Sequence, residues 1–206
     1  MKSETYRNAE SNLFAFLSPE LHKLGFVAIS NLRFIRNLEE AEQSLSFPLR
    51  IDKQGKSHFH CMVGARFQIL CPLLDSWAIP HNPMIVSPIH VFQKLPIFHE
   101  WSFSNSIELS SHLSDVLGAI AIANERFLSQ LTTVRSLITW LQMPNVLAID
   151  ALNPDQRISL LAAAMYTTGD PQLAIKFLKS SIQEAGEQPA KRTILMRALL
   201  LKFESR

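Results

Sequence analysis

The stretch SLSFPLRIDKQGKSHFHCMVGARFQIL, residues 44–70, predicts the sheet of this protein. Two runs rich in apolar, aromatic and β-branched residues, Ser44 to Asp52 and Ser57 to Leu70, are predicted as strands. The loop between them, Asp52 to Lys56, contains Gly55, which can adopt a positive φ, so it is typical of a hairpin. Side chains of alternating character follow it, with Phe59, Cys61 and Val63 on one face and His58, His60 and Met62 on the other.

Further strands are predicted on both sides of this hairpin. Leu32 to Arg36 precedes it and has strand character. The stretch from Cys71 to Glu100 contains five prolines, so we interpret it as a long loop around short edge strands. Met84 to Val86 and His90 to Phe92 are the candidates for those strands. The sequence therefore predicts an antiparallel sheet of four to five strands.

Helical patterns enclose this central region. Residues 4–24 predict an N-terminal helix that breaks and restarts at Ser18-Pro19 and stops at Gly25. From Ser106 a long helix is predicted to pack on the sheet, and a second helix spans Val134 to Gln142. The apolar stripe of the long helix comprises Leu109, Leu113, Val116, Ile120, Ala123, Phe127 and Leu131.

The last third of the chain predicts short, well-punctuated helices. Asn153-Pro154 is a cap followed by a first-turn proline, and Gly169-Asp170-Pro171 ends one helix and caps the next. Pro189 is predicted to open a final helix. The fold class is thus α+β, with an N-terminal helix, an antiparallel sheet packed by a long helix, and a C-terminal helical hairpin group. We expect an α+β domain over residues 1–145 and a helical appendage packed on it over residues 146–206.

Composition limits the classes of function. The 206 residues include 20 basic and 18 acidic side chains, a formal net charge of +2, without the concentrated basic stripe that nucleic-acid binding requires. No apolar stretch approaches the roughly 20 residues of a membrane helix. With two cysteines and no signal-peptide pattern at the N-terminus, we expect a cytoplasmic protein that binds neither nucleic acid nor membrane. The charged fraction is only 18%, which is explained either by a larger core or by apolar surface left for a partner.

Catalytic motifs are absent from the sequence. Six glycines form no phosphate-binding loop, and no nucleophile elbow occurs. Neither Cys61 nor Cys71 lies beside a lysine or arginine that would activate a thiol, and His60, next to Cys61, is predicted to project from the opposite face of the strand. His58 and His60 project from one face of a strand, as two zinc ligands do, and His81, His90 or His99 is a candidate third ligand. That spacing matches no zinc signature and is also typical of a half-exposed sheet face, so we predict no catalytic residue, metal or cofactor. A metal-dependent hydrolase using the His pair remains the alternative.

Aromatic residues near the proline-rich loop are candidates for partner binding. Trp77 lies beside Asp75 and His81, and Trp101 follows Glu100. Tryptophan on such loops is enriched at the centres of protein interfaces. These five residues form the predicted partner-binding set, although burial in the core is the competing interpretation for Trp101, as it is for Trp140.

Part of the chain resembles a known bacterial family. The block Leu17 to Arg36 contains Leu24-Gly25-Phe26 followed by Arg33-Phe34-Ile35-Arg36. It resembles the opening of a bacterial domain of unknown function whose members are similar to immunity proteins of polymorphic toxin systems. The strand Phe59 to Phe67, the His99-Glu100-Trp101 step and the helix from Ser106 follow the same order, so the resemblance covers residues 10–142. It implies no catalytic residues.

A second resemblance concerns residues 160–185, which look like one tetratricopeptide-type helical hairpin. Leu161-Ala162, Tyr166, Gly169-Asp170, Ala174 and Leu178 stand near the packing positions of that repeat. The resemblance implies a surface suited to a peptide or a helix.

Taken together, these patterns predict a module that binds another protein. Its most specific form is an immunity protein that neutralises a cognate toxin, encoded nearby, by occluding it. Such a protein needs complementary shape and charge rather than catalysis. An adaptor or chaperone for a secreted protein is a further alternative, and no oligomeric state is predicted.

Overall fold

The computed structural model describes residues 3–74, 83–93, 99–143, 152–186 and 193–205. The chain divides into two units. Unit 1 contains Met1–Leu38, Glu42–Ala65 and Val86–Ser129, and unit 2 contains Glu39–Ala41, Arg66–Ile85 and Gln130–Arg206. The domain boundary predicted at residue 145 falls in the segment 144–151, outside the described residues, and it stays a prediction.

Helix α1 (Glu4–Lys23) forms the N-terminal part of unit 1. It begins at Ser3, whose hydroxyl accepts a hydrogen bond from the backbone N–H of Tyr6 at 3.2 Å. The three leucines at its centre, Leu13, Leu17 and Leu21, are fully buried. Their spacing of four residues places them on one face, so the predicted apolar stripe is confirmed.

The predicted break of α1 at Ser18-Pro19 is wrong, because the helix continues through Pro19. Proline removes one N–H from the helix ladder, which leaves the carbonyl four residues earlier, that of Ala15, without its donor. Ala15 and Pro19 both lie on the exposed side of α1, where this carbonyl can be hydrated.

The predicted stop at Gly25 is confirmed. Gly25 has a φ of +82°, a conformation that side chains with a Cβ rarely adopt. The N–H of Phe26 donates to the carbonyl of Leu21 at 3.0 Å, and that of Gly25 donates to His22 at 2.9 Å. This pair of bonds is the Schellman motif, and it turns the chain from α1 into the first strand.

A five-stranded antiparallel sheet follows α1, in the order β1-β2-β3-β6-β7. Its strands are β1 (Val27–Ser30), β2 (Arg33–Asn37), β3 (Ala41–Ser46), β6 (Met62–Phe67) and β7 (Ile85–Pro88). Phe34 of β2 is 1% exposed and its ring lies 5.9 Å from that of Phe14 on α1, so the sheet and α1 share a core. The predicted sheet of four to five strands is therefore present.

A smaller three-stranded sheet, which the sequence did not predict, has the order β4-β5-β8. It contains β4 (Leu49–Ile51), β5 (Ser57–Phe59) and β8 (Trp101–Phe103). The predicted hairpin loop is confirmed: Asp52 donates its N–H to the carbonyl of Lys56 at 2.9 Å, and Gly55 has a φ of +84°.

Each long predicted strand is in fact divided between the two sheets. The first run divides at Phe47-Pro48, where the Phe47 N–H bonds to the carbonyl of Leu32 at 2.9 Å. Pro48 has no N–H to continue the ladder, so the chain leaves one sheet there and enters the other. The second run divides at His60-Cys61. The alternation of apolar and polar residues continues through both divisions, so this pattern could not predict them.

The predicted long helix is also divided. It consists of α2 (Ser106–Ser111) and α3 (Leu113–Arg126), which meet at His112. There the backbone N–H of His112 bonds three residues back, to the carbonyl of Leu109 at 3.1 Å, which tightens the last turn of α2. Of the two predicted edge strands, the first corresponds to β7, whereas His90 to Phe92 is wrong because Ile89–Val91 forms a 3-10 helix.

Unit 2 contains four described helices, α4 (Val134–Gln142), α5 (Pro154–Thr167), α6 (Pro171–Glu184) and α7 (Ile194–Glu204). The bounds of α4 agree with the prediction. Asn153 caps α5 in a capping box with Gln156, and Asp170 caps α6, so both predicted caps are confirmed. Pro189 lies outside the described residues. Among the helices that the structure describes, none is long and apolar enough to cross a membrane.

The Asp170 cap gives a direct test of the α5–α6 turn. The Asp170 side chain accepts a hydrogen bond from the N–H of Leu173 at 3.1 Å. We expect Asp170→Ala to destabilise the protein by about 1 kcal/mol, a decrease in Tm of about 2–4 °C. Asp170→Asn keeps an accepting oxygen and is the matched control. An equal loss of Tm in both variants, measured by circular dichroism, would contradict the capping role.

Candidate functional site: a histidine-rich sheet face

The three-stranded sheet of unit 1 has one apolar and one polar side. Its strands are in register, so Arg50 lies opposite His58 and His58 lies opposite Ser102. The alternate residues Phe59, Trp101 and Phe103 point into the core and are at most 3% exposed. We call the polar side the histidine face and define it as Arg50, Asp52, His58, His60, Glu100 and Ser102.

One ion pair and one carboxylate–imidazole hydrogen bond organise the histidine face. The guanidinium of Arg50 donates two hydrogen bonds to the carboxylate of Glu100. Nη2 donates to Oε2 at 2.6 Å, and Nε donates to Oε1 at 3.2 Å. His58 Nε2 lies 2.9 Å from Asp52 Oδ2. His60 adds a longer contact, with Nδ1 at 4.0 Å from Glu100 Oε1. Two carboxylates, one guanidinium and two imidazoles therefore lie close together on this side of the sheet.

The hairpin loop fixes the position of Asp52. Its Oδ1 accepts hydrogen bonds from the backbone N–H groups of Gln54 and Lys56, both at 2.9 Å. The hydrogen bond from His58, and then those from the backbone, lower the pKa of Asp52. Because an ionised carboxylate can only accept, His58 Nε2 carries the hydrogen of their bond. In the neutral ring, Nδ1 is then left as an acceptor.

The pKa values of the neighbouring groups also shift. The hydrogen bond from Arg50 lowers the pKa of Glu100. Burial lowers the pKa of His60, against the opposing effect of Glu100. Burial lowers the pKa of His90 too, and its electrostatic interaction with His99 lowers it further. At neutral pH the face thus combines an ionised Arg50–Glu100 pair with an uncharged imidazole at His60.

Asp115 supports β8 from the start of α3. Its Oδ2 accepts a hydrogen bond from Trp101 Nε1 at 2.6 Å and lies 3.5 Å from His99 Nε2. The His99 ring packs edge-on against Trp101 at 4.7 Å between centroids. His112 Nε2 lies 3.0 Å from the carbonyl of Ser102, and since a carbonyl only accepts, the imidazole is the donor. These contacts hold β8, which carries Glu100 at its N-terminal edge.

Among the described residues, no group of three or more His, Cys, Asp and Glu side chains is arranged to hold a metal ion. Cys61 is fully buried, and burial raises the pKa of its thiol, so it is protonated at neutral pH. What the face offers is a set of charges and hydrogen-bonding groups in fixed positions.

The predicted partner-binding residues fall into three groups. Asp75, Trp77 and His81 lie outside the described residues. Glu100 is half-buried and belongs to the histidine face. Trp101 is 2% exposed and its ring stacks on Phe59 at 5.4 Å, so it supports the face from the core side. The core interpretation of Trp101 and Trp140 is confirmed, since Trp140 is 1% exposed.

The sequence analysis did not identify Arg50, Asp52 or Asp115 as parts of this site. Arg50 and Asp52 flank the predicted hairpin, and pairing across that hairpin sets Arg50 directly opposite His58. The pairing of residues across the predicted hairpin could therefore have indicated both residues from the sequence. No pattern in the sequence indicates Asp115, because it contacts Trp101 and His99 only in the tertiary structure.

The lowered pKa of Glu100 predicts a pH-dependent contribution to stability. A carboxylate whose folded pKa is depressed stabilises the protein above its unfolded pKa, about 4.3 for Glu. This contribution is lost as the pH falls through the lower folded value. We expect Glu100→Gln to lower the Tm by about 1–3 °C at pH 7. The difference from wild type should be smaller near pH 3 than at pH 7.

Glu125 is the control for this measurement, because it is exposed. Glu125→Gln should match wild type at both pH values in thermal unfolding followed by circular dichroism. A difference between wild type and Glu100→Gln that is the same at pH 7 and near pH 3 would contradict the assignment.

No family model, no curated protein and no solved structure matches this chain.

Proposed function

We propose that the chain is a protein-binding module, and most specifically an immunity protein that binds and occludes a toxin encoded by a neighbouring gene. The observation that carries the proposal is the histidine face, where the Arg50–Glu100 ion pair and the Asp52–His58 hydrogen bond hold charged groups of both signs in place across three adjacent strands. Electrostatic complementarity of this kind gives binding proteins their specificity and fast association. The resemblance of Leu17 to Arg36 to immunity-like domains supports the more specific form.

The physical argument for binding is preorganisation. Side chains that are already fixed lose less conformational entropy when a partner docks. Asp52 is fixed by two backbone N–H groups and by His58, and Arg50 and Glu100 fix each other through two hydrogen bonds. Glu100 is 24% exposed and Arg50 is 56% exposed, so both can still reach a partner.

The test is binding to the product of the adjacent gene, measured by isothermal titration calorimetry. We expect wild type to form a 1:1 complex and Arg50→Glu to weaken it by at least about 30-fold, because truncating or reversing an interfacial charge costs 2 kcal/mol or more. Lys176→Glu introduces the same change of charge at an exposed position of α6 and should leave affinity within about threefold.

The two parts of the proposal fail separately. If no product of a neighbouring gene forms a complex with the wild-type protein, the immunity form is wrong. If a complex forms and Arg50→Glu, confirmed as folded by circular dichroism, binds like wild type, the histidine face is not the binding surface.

A groove in unit 2 favours the adaptor alternative. It has a volume of about 440 Å³, and its walls are mainly apolar. Leu141, Leu152, Ile158, Leu161 and Phe177 contribute the apolar side chains. Amphipathic helices dock into grooves of this type by inserting their apolar side.

One pair of variants separates the adaptor from the face-binding immunity protein. Phe177 lines the groove, whereas Leu173 on the same helix is 46% exposed and is not among the residues that line it. If the adaptor alternative holds, Phe177→Ala lowers affinity for the same partner at least about tenfold and Leu173→Ala does not. Unchanged affinity of Phe177→Ala, measured by the same calorimetry, excludes the groove.

A further inference from the structure

A second concave site lies in unit 1, at the C-terminal end of α1. This cavity, which we call the Arg36 pocket, has a volume of about 330 Å³. Its apolar walls come from Leu24, Phe26, Leu117 and Ile120, and Arg36 and Asn124 supply polar groups. An apolar cavity with a few convergent polar groups is the usual form of a small-ligand site.

The guanidinium of Arg36 is held by neutral groups. Nε and Nη2 donate to Gln43 Oε1 at 3.1 and 2.5 Å, and Nη2 also donates to Asn124 Oδ1 at 2.8 Å. Nη1 donates to the carbonyl of Leu24 at 3.1 Å. The ring of Phe26 lies 4.7 Å from the guanidinium carbon. All of these partners are uncharged, so the positive charge of Arg36 is held in place without being neutralised.

A half-buried cation without a counter-ion is unusual, because desolvating a charge is unfavourable unless an opposite charge compensates it. Within the described part of the chain, no carboxylate forms an ion pair with Arg36. The C-terminal end of α1 at Leu24 supplies only about half a negative charge through its dipole. Burial lowers the pKa of Arg36, which has the same physical origin.

The remaining charges at the pocket cancel. Glu20 and Lys23 also line it, and Lys23 Nζ lies 2.7 Å from Glu20 Oε1. The pocket therefore carries the net single positive charge of Arg36. Four hydrogen bonds use four of the five N–H groups of a guanidinium. One N–H of Nη1 is thus left without an acceptor among the described residues.

We infer that the Arg36 pocket binds an organic acid, a carboxylate carried on an apolar body. The carboxylate would pair with the guanidinium of Arg36, and the apolar body would lie against Phe26, Leu117 and Ile120. A carboxylate accepts charge-assisted hydrogen bonds from arginine and supplies the missing negative charge. The site goes beyond the proposed function, because it uses none of the residues of the histidine face.

The test uses 3-phenylpropionate and octanoate, each beside its neutral amide, with binding measured by calorimetry and by ¹H–¹⁵N spectra. We expect the acids to bind with a Kd between about 10 μM and 1 mM, as suits ligands of this size. The amides should bind at least about tenfold more weakly, because they lack the charge that Arg36 requires. A peptide ending in a free leucine carboxylate, compared with its C-terminal amide, distinguishes a chain terminus from a free acid as the source of the carboxylate.

Two variants locate the site. Arg36→Gln removes the charge, and Ala121→Trp fills the pocket from an exposed position of α3 without touching the hydrogen bonds of Arg36. Ser114→Trp is the control, because Ser114 is exposed on α3 and is not among the pocket-lining residues. We expect Ala121→Trp to abolish binding of the acids and Ser114→Trp to retain it. Arg36→Gln, if folded, should lose the preference for acid over amide.

Three results would overturn the inference. The first is that neither the acids nor the peptide carboxylate bind at 5 mM, about fivefold above the weakest expected Kd. The second is that acids and amides bind equally well. The third is that Ala121→Trp binds the acids like wild type, which would place them elsewhere on the protein.

Discussion

The hydrogen bonds donated by the guanidinium of Arg36 are the interactions on which the arrangement of unit 1 depends. From β2 it reaches the C-terminal carbonyl of α1 at Leu24, Gln43 on β3 and Asn124 on α3. Gln43 extends the connection, since its amide donates to the carbonyl of Leu128 at 2.6 Å. One planar group with donors in fixed directions thus sets the positions of two helices and two strands. Gly25 is part of this constraint, because a Cβ there would come within 3.4 Å of the Arg36 side chain.

The histidine face has a different physical basis. There the register of β4, β5 and β8 aligns Arg50, His58 and Ser102. The Arg50–Glu100 ion pair and the Asp52–His58 hydrogen bond restrict the side chains. Exposed ion pairs contribute little to stability, in general at most about 1 kcal/mol each. Their more general effect is to hold charges in a defined pattern, and such a pattern specifies a partner. This is the reason for interpreting the face as a binding surface.

Local signals in the sequence predicted much of the fold. The caps Asn153 and Asp170, the stop at Gly25 and the hairpin loop at Gly55 were correct, since each depends on residues close together in the chain. Pro19 led to the wrong prediction of a break in α1. A proline is tolerated inside a helix where the carbonyl that it leaves without a hydrogen bond can be hydrated.

The errors in the strands had a tertiary cause. Residues 44–52 and 57–70 each supply two sheets, and hydrophobic alternation does not record which sheet a strand joins. The candidate site shows the same limit. Glu100 was predicted because it precedes Trp101 in the sequence. Asp115, in contrast, contacts Trp101 and His99 only in the folded protein. The pairing of Arg50 with Glu100 spans 50 residues, and no local pattern indicates it.

The central claim, that the histidine face binds a protein, is tested most directly by amide hydrogen exchange of the complex with the adjacent gene product. The account predicts slower exchange in β4, β5 and β8 and in the loop from Asp52 to Lys56 when the partner is bound. Exchange in α6 should be the same in the free and bound protein. Slower exchange confined to the helices of unit 2, with none in the three strands, would contradict the account.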